Sequence, residues 1–195
     1  MIRIAILAGG LAAAASAAAA EECAAGKPRD QMTYEDAQAV YACLEDKMLR
    51  GYMTGPKRWI PERFVAEYRG WTRASNLPAD PGFHGGRYLL TYVNPVGAAT
   101  YLRFEEEGVK MPPGSVIAKE SFSIDEQGKA APGPLFIMQK AEPGASPQTG
   151  DWYYMMVAPN GAPQAVDVMT ACNACHQNYA DQDYMAYPVE EVRAR

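Results

Sequence analysis

Ser115-Val116-Ile117-Ala118-Lys119-Glu120-Ser121-Phe122-Ser123-Ile124 is the run that decides the fold. Its side chains alternate with period two, as on a strand. Val116, Ala118, Phe122 and Ile124 share one face, with Glu120 among them. Ile117, Lys119, Ser121 and Ser123 share the other. The second face is the more polar, so a lysine there is ordinarily solvated. Glu120 is the odd residue on its face, because a carboxylate among apolar side chains needs a partner or a raised pKa. It is either a proton acceptor for a substrate or half of a structural ion pair, and the ion pair is the commoner outcome.

Strand-like runs flank this one. Arg87 to Val93 is aromatic and β-branched and stops at Asn94-Pro95. Pro134 to Gln139 and Trp152 to Ala158 follow, separated by turns at Gly128, Gly133, Gly144 and Asn160-Gly161. Consecutive strands joined by short turns pair antiparallel. Upstream, Thr33 caps a helix over Tyr34 to Tyr52, with Ala37, Val40, Tyr41, Leu44, Met48 and Leu49 at helical spacing. A short second helix begins near Pro61 and carries Phe64, Val65 and Tyr68. Asn76 to Gly86, rich in Gly, Pro, Asp and Asn, reads as a loop. Short helical segments are expected at Val96 to Glu107 and at Gln164 to Tyr179. The whole is one α+β domain, an antiparallel β-sheet packed with helices.

The last helix carries Cys172-Asn173-Ala174-Cys175-His176. Two thiols separated by two residues, followed by an imidazole, are what covalent haem attachment requires. With four Cys and two His in 195 residues, a chance match has a probability of about 10⁻³. A zinc site would need two more ligands, and Cys23, Cys43 and His84 are poorly spaced for it. One covalently attached haem c is therefore expected, with His176 as axial ligand to the iron. His84 reads as an ordinary loop histidine and no methionine stands out as a sixth ligand, so a five-coordinate iron with an open distal face is expected. The motif lies late in a strand-rich chain, unlike that of small helical electron carriers.

The N-terminus gives the compartment. A short basic start at Arg3, a small apolar run to Ala17 and Ala18-Ala19-Ala20 before Glu21 read as a cleaved signal peptide, residues 1–20. The expected location is the periplasm, which covalent haem attachment also requires. No later run approaches the roughly 18 apolar residues of a membrane span. Cys23 and Cys43, left over in an oxidising compartment, suggest a disulfide, with two free thiols as the alternative. Net charge is −5, about −6 without Arg3, and no basic stripe appears, so nucleic acid is not an expected partner. An acidic surface suits a basic redox partner. Residues 21–60 form an N-terminal helical segment, and 61–195 the haem domain with which it makes one globular unit.

Several of these pieces resemble the cytochrome P-460 family, which includes the gas-binding cytochromes c′-β. They are Tyr68-Arg69-Gly70-Trp71, Gly86-Arg87 leading to Tyr92-Val93-Asn94-Pro95, the segment Gly114 to Glu120, Gly150-Asp151-Trp152-Tyr153-Tyr154, and the Cys172 to His176 motif. The likeness spans roughly Phe64 to Pro188. It implies a homodimer, a five-coordinate c-type haem, and oxidation of hydroxylamine to nitrogen oxides with electron transfer to a soluble acceptor such as another cytochrome. In hydroxylamine-oxidising members a lysine is joined to a meso carbon of the porphyrin, and the matching segment assigns this to Lys119. One departure is evident. Leu89 stands where such members carry a pocket arginine, and Arg87, two residues earlier on the same strand face, is the substitute. A leucine there makes the pocket more apolar, nearer that of a binder of nitric oxide or carbon monoxide, with Phe122 and Phe136 as candidate caps.

Overall fold

The computed structural model describes residues 23–195; the expected signal peptide, 1–20, lies outside them. Helix α1 (Tyr34–Met53) starts at a reciprocal cap. The Thr33 hydroxyl accepts the Asp36 N–H at 3.2 Å, and the Asp36 carboxylate accepts the Thr33 N–H at 2.9 Å. Two otherwise unpaired donors are thereby satisfied. Ala37, Val40, Tyr41, Leu44, Met48 and Tyr52 form its buried stripe. A disulfide between Cys23 and Cys43 ties the start of the described chain to this helix. Helix α2 (Glu62–Glu67) and the 3-10 turn Tyr68–Gly70 follow.

The sheet has six antiparallel strands: β1 (Thr72–Arg73), β2 (Tyr88–Val93), β3 (Val116–Ile124), β4 (Ala130–Pro132), β5 (Leu135–Lys140) and β6 (Trp152–Val157). Their order is β1-β2-β3-β5-β6, with β4 paired to β3. The antiparallel α+β architecture expected from the alternating runs is the one observed. Two strands escaped sequence reading, β1 and β4, because two or three residues carry no readable alternation.

Both faces of the sheet are covered. Tyr92, Ala118, Ile137 and the side chains in line with them pack on α1 and α2 in one large core cluster. The second face meets α3 (Pro95–Tyr101) and the C-terminal segment, through Val93, Ile117, Met138 and Trp152. Lys119 is on this second face and is only 7% exposed. The expectation that a polar strand face is solvated fails here because other parts of the chain roof it over.

Two helical expectations shift. The segment expected over Val96 to Glu107 is α3, which stops at Tyr101 because Phe104 adopts a left-handed backbone, φ 49°. It is capped by Asn94, whose side-chain oxygen accepts the Gly97 N–H at 3.1 Å. The segment expected from Gln164 begins later. Gln164 is instead tied to the sheet by its N–H to the Met156 carbonyl at 2.8 Å. The helix proper is a π-helical turn (Met169–Asn173) running into α4 (Ala174–His176) and a 3-10 stretch (Gln177–Gln182). No helix among the described residues is long and apolar enough to cross a membrane.

Candidate functional site

Between the second face of the sheet and the C-terminal segment lies a cavity of about 810 Å³. Strand register builds its floor. Thr91, Lys119, Phe136 and Met156 are paired neighbours across β2, β3, β5 and β6, and all four line the cavity. Cys172, Cys175 and His176 line it too. The three chemistry-bearing residues of the motif thus share one cavity with Lys119.

The motif is delivered by the π-helical turn, a local widening common where a helix serves a site. The Asp167 carboxylate accepts the Met169 and Thr170 N–H groups at 3.1 and 3.4 Å and starts that turn. Cys172 and Cys175 are free thiols. His176 is 8% exposed, and its Nδ1 lies 2.7 Å from the Tyr184 carbonyl. A carbonyl accepts only, so Nδ1 carries the proton and Nε2 keeps its lone pair, the arrangement a metal ligand needs.

The turn presenting that carbonyl is held firmly. Asp183 and Tyr184 both have left-handed backbones, φ 54° and 65°. Asp183 is 3% exposed. Its carboxylate accepts from Lys140 Nζ at 2.7 Å and from the Met111 N–H at 2.8 Å, while its carbonyl accepts the Trp152 indole N–H at 2.7 Å. Gly150 packs beneath, where any Cβ would overlap the Tyr184 ring. These are the outer supports of His176, and none was read from sequence. In the sequence the Gly150-Asp151-Trp152 segment carries only the family resemblance.

Lys119 Nζ donates to the Ala186 carbonyl at 2.8 Å. Burial alone pulls this amine down to about 8. Burial, then the nearby Lys119 charge, holds His84 at about 3 and His176 at about 4. Both imidazoles are neutral at ordinary pH.

Arg87 lines the cavity and donates to the His84 carbonyl at 2.8 Å. Leu89 and Phe136 also line it, whereas Phe122 is buried in the helix-side core. Of the two candidate caps, only Phe136 is in position. His84 is not an ordinary loop histidine, since its ring stands in the cavity against Phe136, with ring centres 4.6 Å apart.

Glu120 is not part of this site. It points to the helix-side face, where its side chain is fully buried. It accepts from Tyr41 and Tyr68 hydroxyls at 2.9 Å each and pairs with the Arg69 guanidinium. Burial first, and then its negative charge, pushes both tyrosines well above their usual range. Its role is the ion pair. The proton-acceptor alternative fails because period two puts residue 120 on the far side of the strand from residue 119.

The residues present fit a haem. Among the described residues, seven buried side-chain polar atoms lack a hydrogen-bond partner, and three of them belong to cavity-lining residues: His84 Nδ1, Arg87 Nε and Tyr154 Oη. Buried polar atoms are normally paired, so the cavity suits a group with an apolar body and a polar rim. Among the described residues no group of three or more His, Cys, Asp and Glu is arranged to hold a bare metal ion. The family model described as Cytochrome P460 matches residues 65–186, more than half of the chain. No curated protein matches the chain.

Proposed function

Because the chain belongs to the cytochrome P460 family, we propose that it is a c-type haem protein oxidising hydroxylamine to nitrogen oxides. It works in the periplasm as a homodimer and hands its electrons to a soluble acceptor such as another cytochrome. The observation that carries this reading is the position of Lys119, buried on the floor of the cavity that Cys172, Cys175 and His176 also line.

The thiols of Cys172 and Cys175 would hold the haem through its two vinyl groups, and His176 Nε2 would give its lone pair to the iron. Arg87, with its Nε buried and unpaired, suits a propionate carboxylate. When bound, the haem supplies an iron able to take the substrate nitrogen and pass its electrons onward. Lys119 is suited to the porphyrin bond made by hydroxylamine-oxidising relatives. An amine at about 8 is neutral near pH 7 about 230-fold more often than an ordinary lysine at about 10.4. A neutral lone pair is what a carbon–nitrogen bond requires. Closing that bond removes hydrogen, so it also needs an oxidant during maturation.

A second reading has its own support. Among the described residues no Asp or Glu lines the cavity, and Leu89, Ile117 and Phe136 do. An apolar pocket lacking a carboxylate base fits a binder of nitric oxide or carbon monoxide without turnover. Intact mass, the ferric and ferrous absorption spectra, and hydroxylamine-dependent reduction of an acceptor separate the two. The enzyme reading expects a mass below that of chain plus haem, a spectrum shifted from ordinary haem c, and loss of both features in Lys119→Ala. An ordinary spectrum, tight gas binding and no turnover would replace it with the gas-binding reading.

A further inference from the structure

The loop bearing His84 is built to hold one side chain over the cavity. Its base is closed by an antiparallel bridge between Ala79 and Leu89. Arg29, from the 3-10 turn Arg29–Gln31, pairs with Asp80 and donates to the Gly86 carbonyl, tying both limbs together. At the tip His84 adopts φ 54°, between Gly82 at 79° and Gly85 at 69°. Histidine tolerates this region better than most side chains, yet it is still uncommon outside glycine. The conformation turns the ring inward, with its centre 6.3 Å from that of His176 and the planes at 64°.

That separation discriminates among three arrangements. Two imidazoles hydrogen-bonded to each other, with nitrogens about 2.9 Å apart, would have ring centres about 5.3 Å apart. Metal–imidazole nitrogen bonds are about 2.0–2.1 Å, and a ring centre lies about 1.2 Å beyond its nitrogen. Two imidazoles on opposite sides of one metal therefore have centres about 6.4–6.6 Å apart. A distal histidine that only hydrogen-bonds to a small molecule on the iron must stand roughly 2 Å further off to make room for it. The observed 6.3 Å is nearest the shared metal. An angle of 64° between the planes is compatible with it, since each ring can rotate about its own bond to the metal.

We infer that His84 is a second, releasable axial ligand, so that the resting haem is six-coordinate and an incoming substrate or gas must displace His84. This rests on the haem reading above and replaces the open distal face expected from sequence. The two ligands differ in support. His176 Nδ1 is held by the Tyr184 carbonyl, whereas His84 Nδ1 is buried without a partner. A ligating histidine without an outer hydrogen bond is less basic and less fixed in orientation. The glycines on either side give the loop freedom to swing. His176 is therefore the permanent ligand and His84 the one that leaves.

The test uses the matured holoprotein, with His84→Phe to keep aromatic packing on Phe136 and His84→Ala to open a slot for added imidazole. Electron paramagnetic resonance and absorption spectra report spin state without any turnover assay. The wild type is expected to be low-spin in the ferric state, both variants high-spin, and imidazole to return His84→Ala to low spin. If His84 is bound 90–99% of the time, carbon monoxide affinity of the ferrous protein should rise about 10- to 100-fold in His84→Phe. A high-spin wild type, or a His84→Phe haem that stays low-spin, overturns the inference and leaves the haem reading intact. A chain that carries no covalent haem after maturation overturns both.

Discussion

Replacing Glu120 by alanine separates a carboxylate that holds the fold from one that serves the cavity. The side chain is fully buried and its partner Arg69 retains 21% side-chain exposure. Alanine would strand that guanidinium and leave the Tyr68 hydroxyl unpaired, while the Tyr41 hydroxyl keeps Tyr92 at 3.2 Å. Removing one member of a buried ion pair costs about 3–5 kcal/mol. The partial exposure of Arg69 and its remaining bond to the Glu45 carbonyl at 2.6 Å place the expected loss near the lower end, about 3 kcal/mol. For a domain of this size each kcal/mol moves the melting temperature by about 2–4 °C, so a fall of about 6–12 °C is expected. Glu120→Gln, which keeps the volume and an acceptor oxygen, should lose about 2 kcal/mol. Circular dichroism melts give the stability, and the visible spectrum and hydroxylamine turnover at 20 °C give the site. The reasoning is refuted if the melt stays within about 2 °C of wild type. It is equally refuted if turnover collapses while the variant is still folded.

Gly150→Ala tests the support beneath His176. With φ at 61° and the Tyr184 ring in the way, it should cost at least about 1 kcal/mol and shift the haem reduction potential by loosening the Tyr184 carbonyl from His176. An unchanged potential would detach that turn from the metal site. Asp36 sets an acid limb. The Lys27 ammonium, then the Thr33 N–H, hold its carboxyl at about 2, below the ordinary value. The folded state therefore binds the proton less tightly than the unfolded chain, and this stabilisation is present above about pH 4 and fades as pH falls through about 2. Asp36→Asn should flatten that part of the stability–pH curve, and an unaltered acid limb in denaturant titrations would count against the assignment.

What could be read from residue order follows the length of each pattern. β3 is nine residues of clean alternation, and its faces were assigned as they stand. The error at Lys119 was of a different kind. Period two tells which side chains share a face but not what covers that face, and a face roofed by a ligand cavity looks the same in sequence as one facing water. Glu120 announced its need for a partner, while Arg69, 51 residues away, gave no sign of being that partner. His84 was hidden for a similar reason: its importance comes from a bridge at Ala79 and Leu89 and a tether from Arg29, contacts between distant segments. The haem motif needed no tertiary information because its chemistry is compressed into five neighbouring residues. The supports of that motif, from Asp183 to Lys140, Met111 and Trp152, are long-range and left no local trace.

The cavity wall has a construction order of its own. All six strands precede Cys172, while Ala186, Tyr187, Pro188, Val189 and Val192 complete the lining after it. The Asn76 N–H then bonds the Val192 carbonyl, and the Ala194 N–H bonds the Ala74 carbonyl, fastening the final residues beside β1. In chain order the pleated bed comes first and the thiols after it, so the final residues are a latch that these two bonds draw across the cavity.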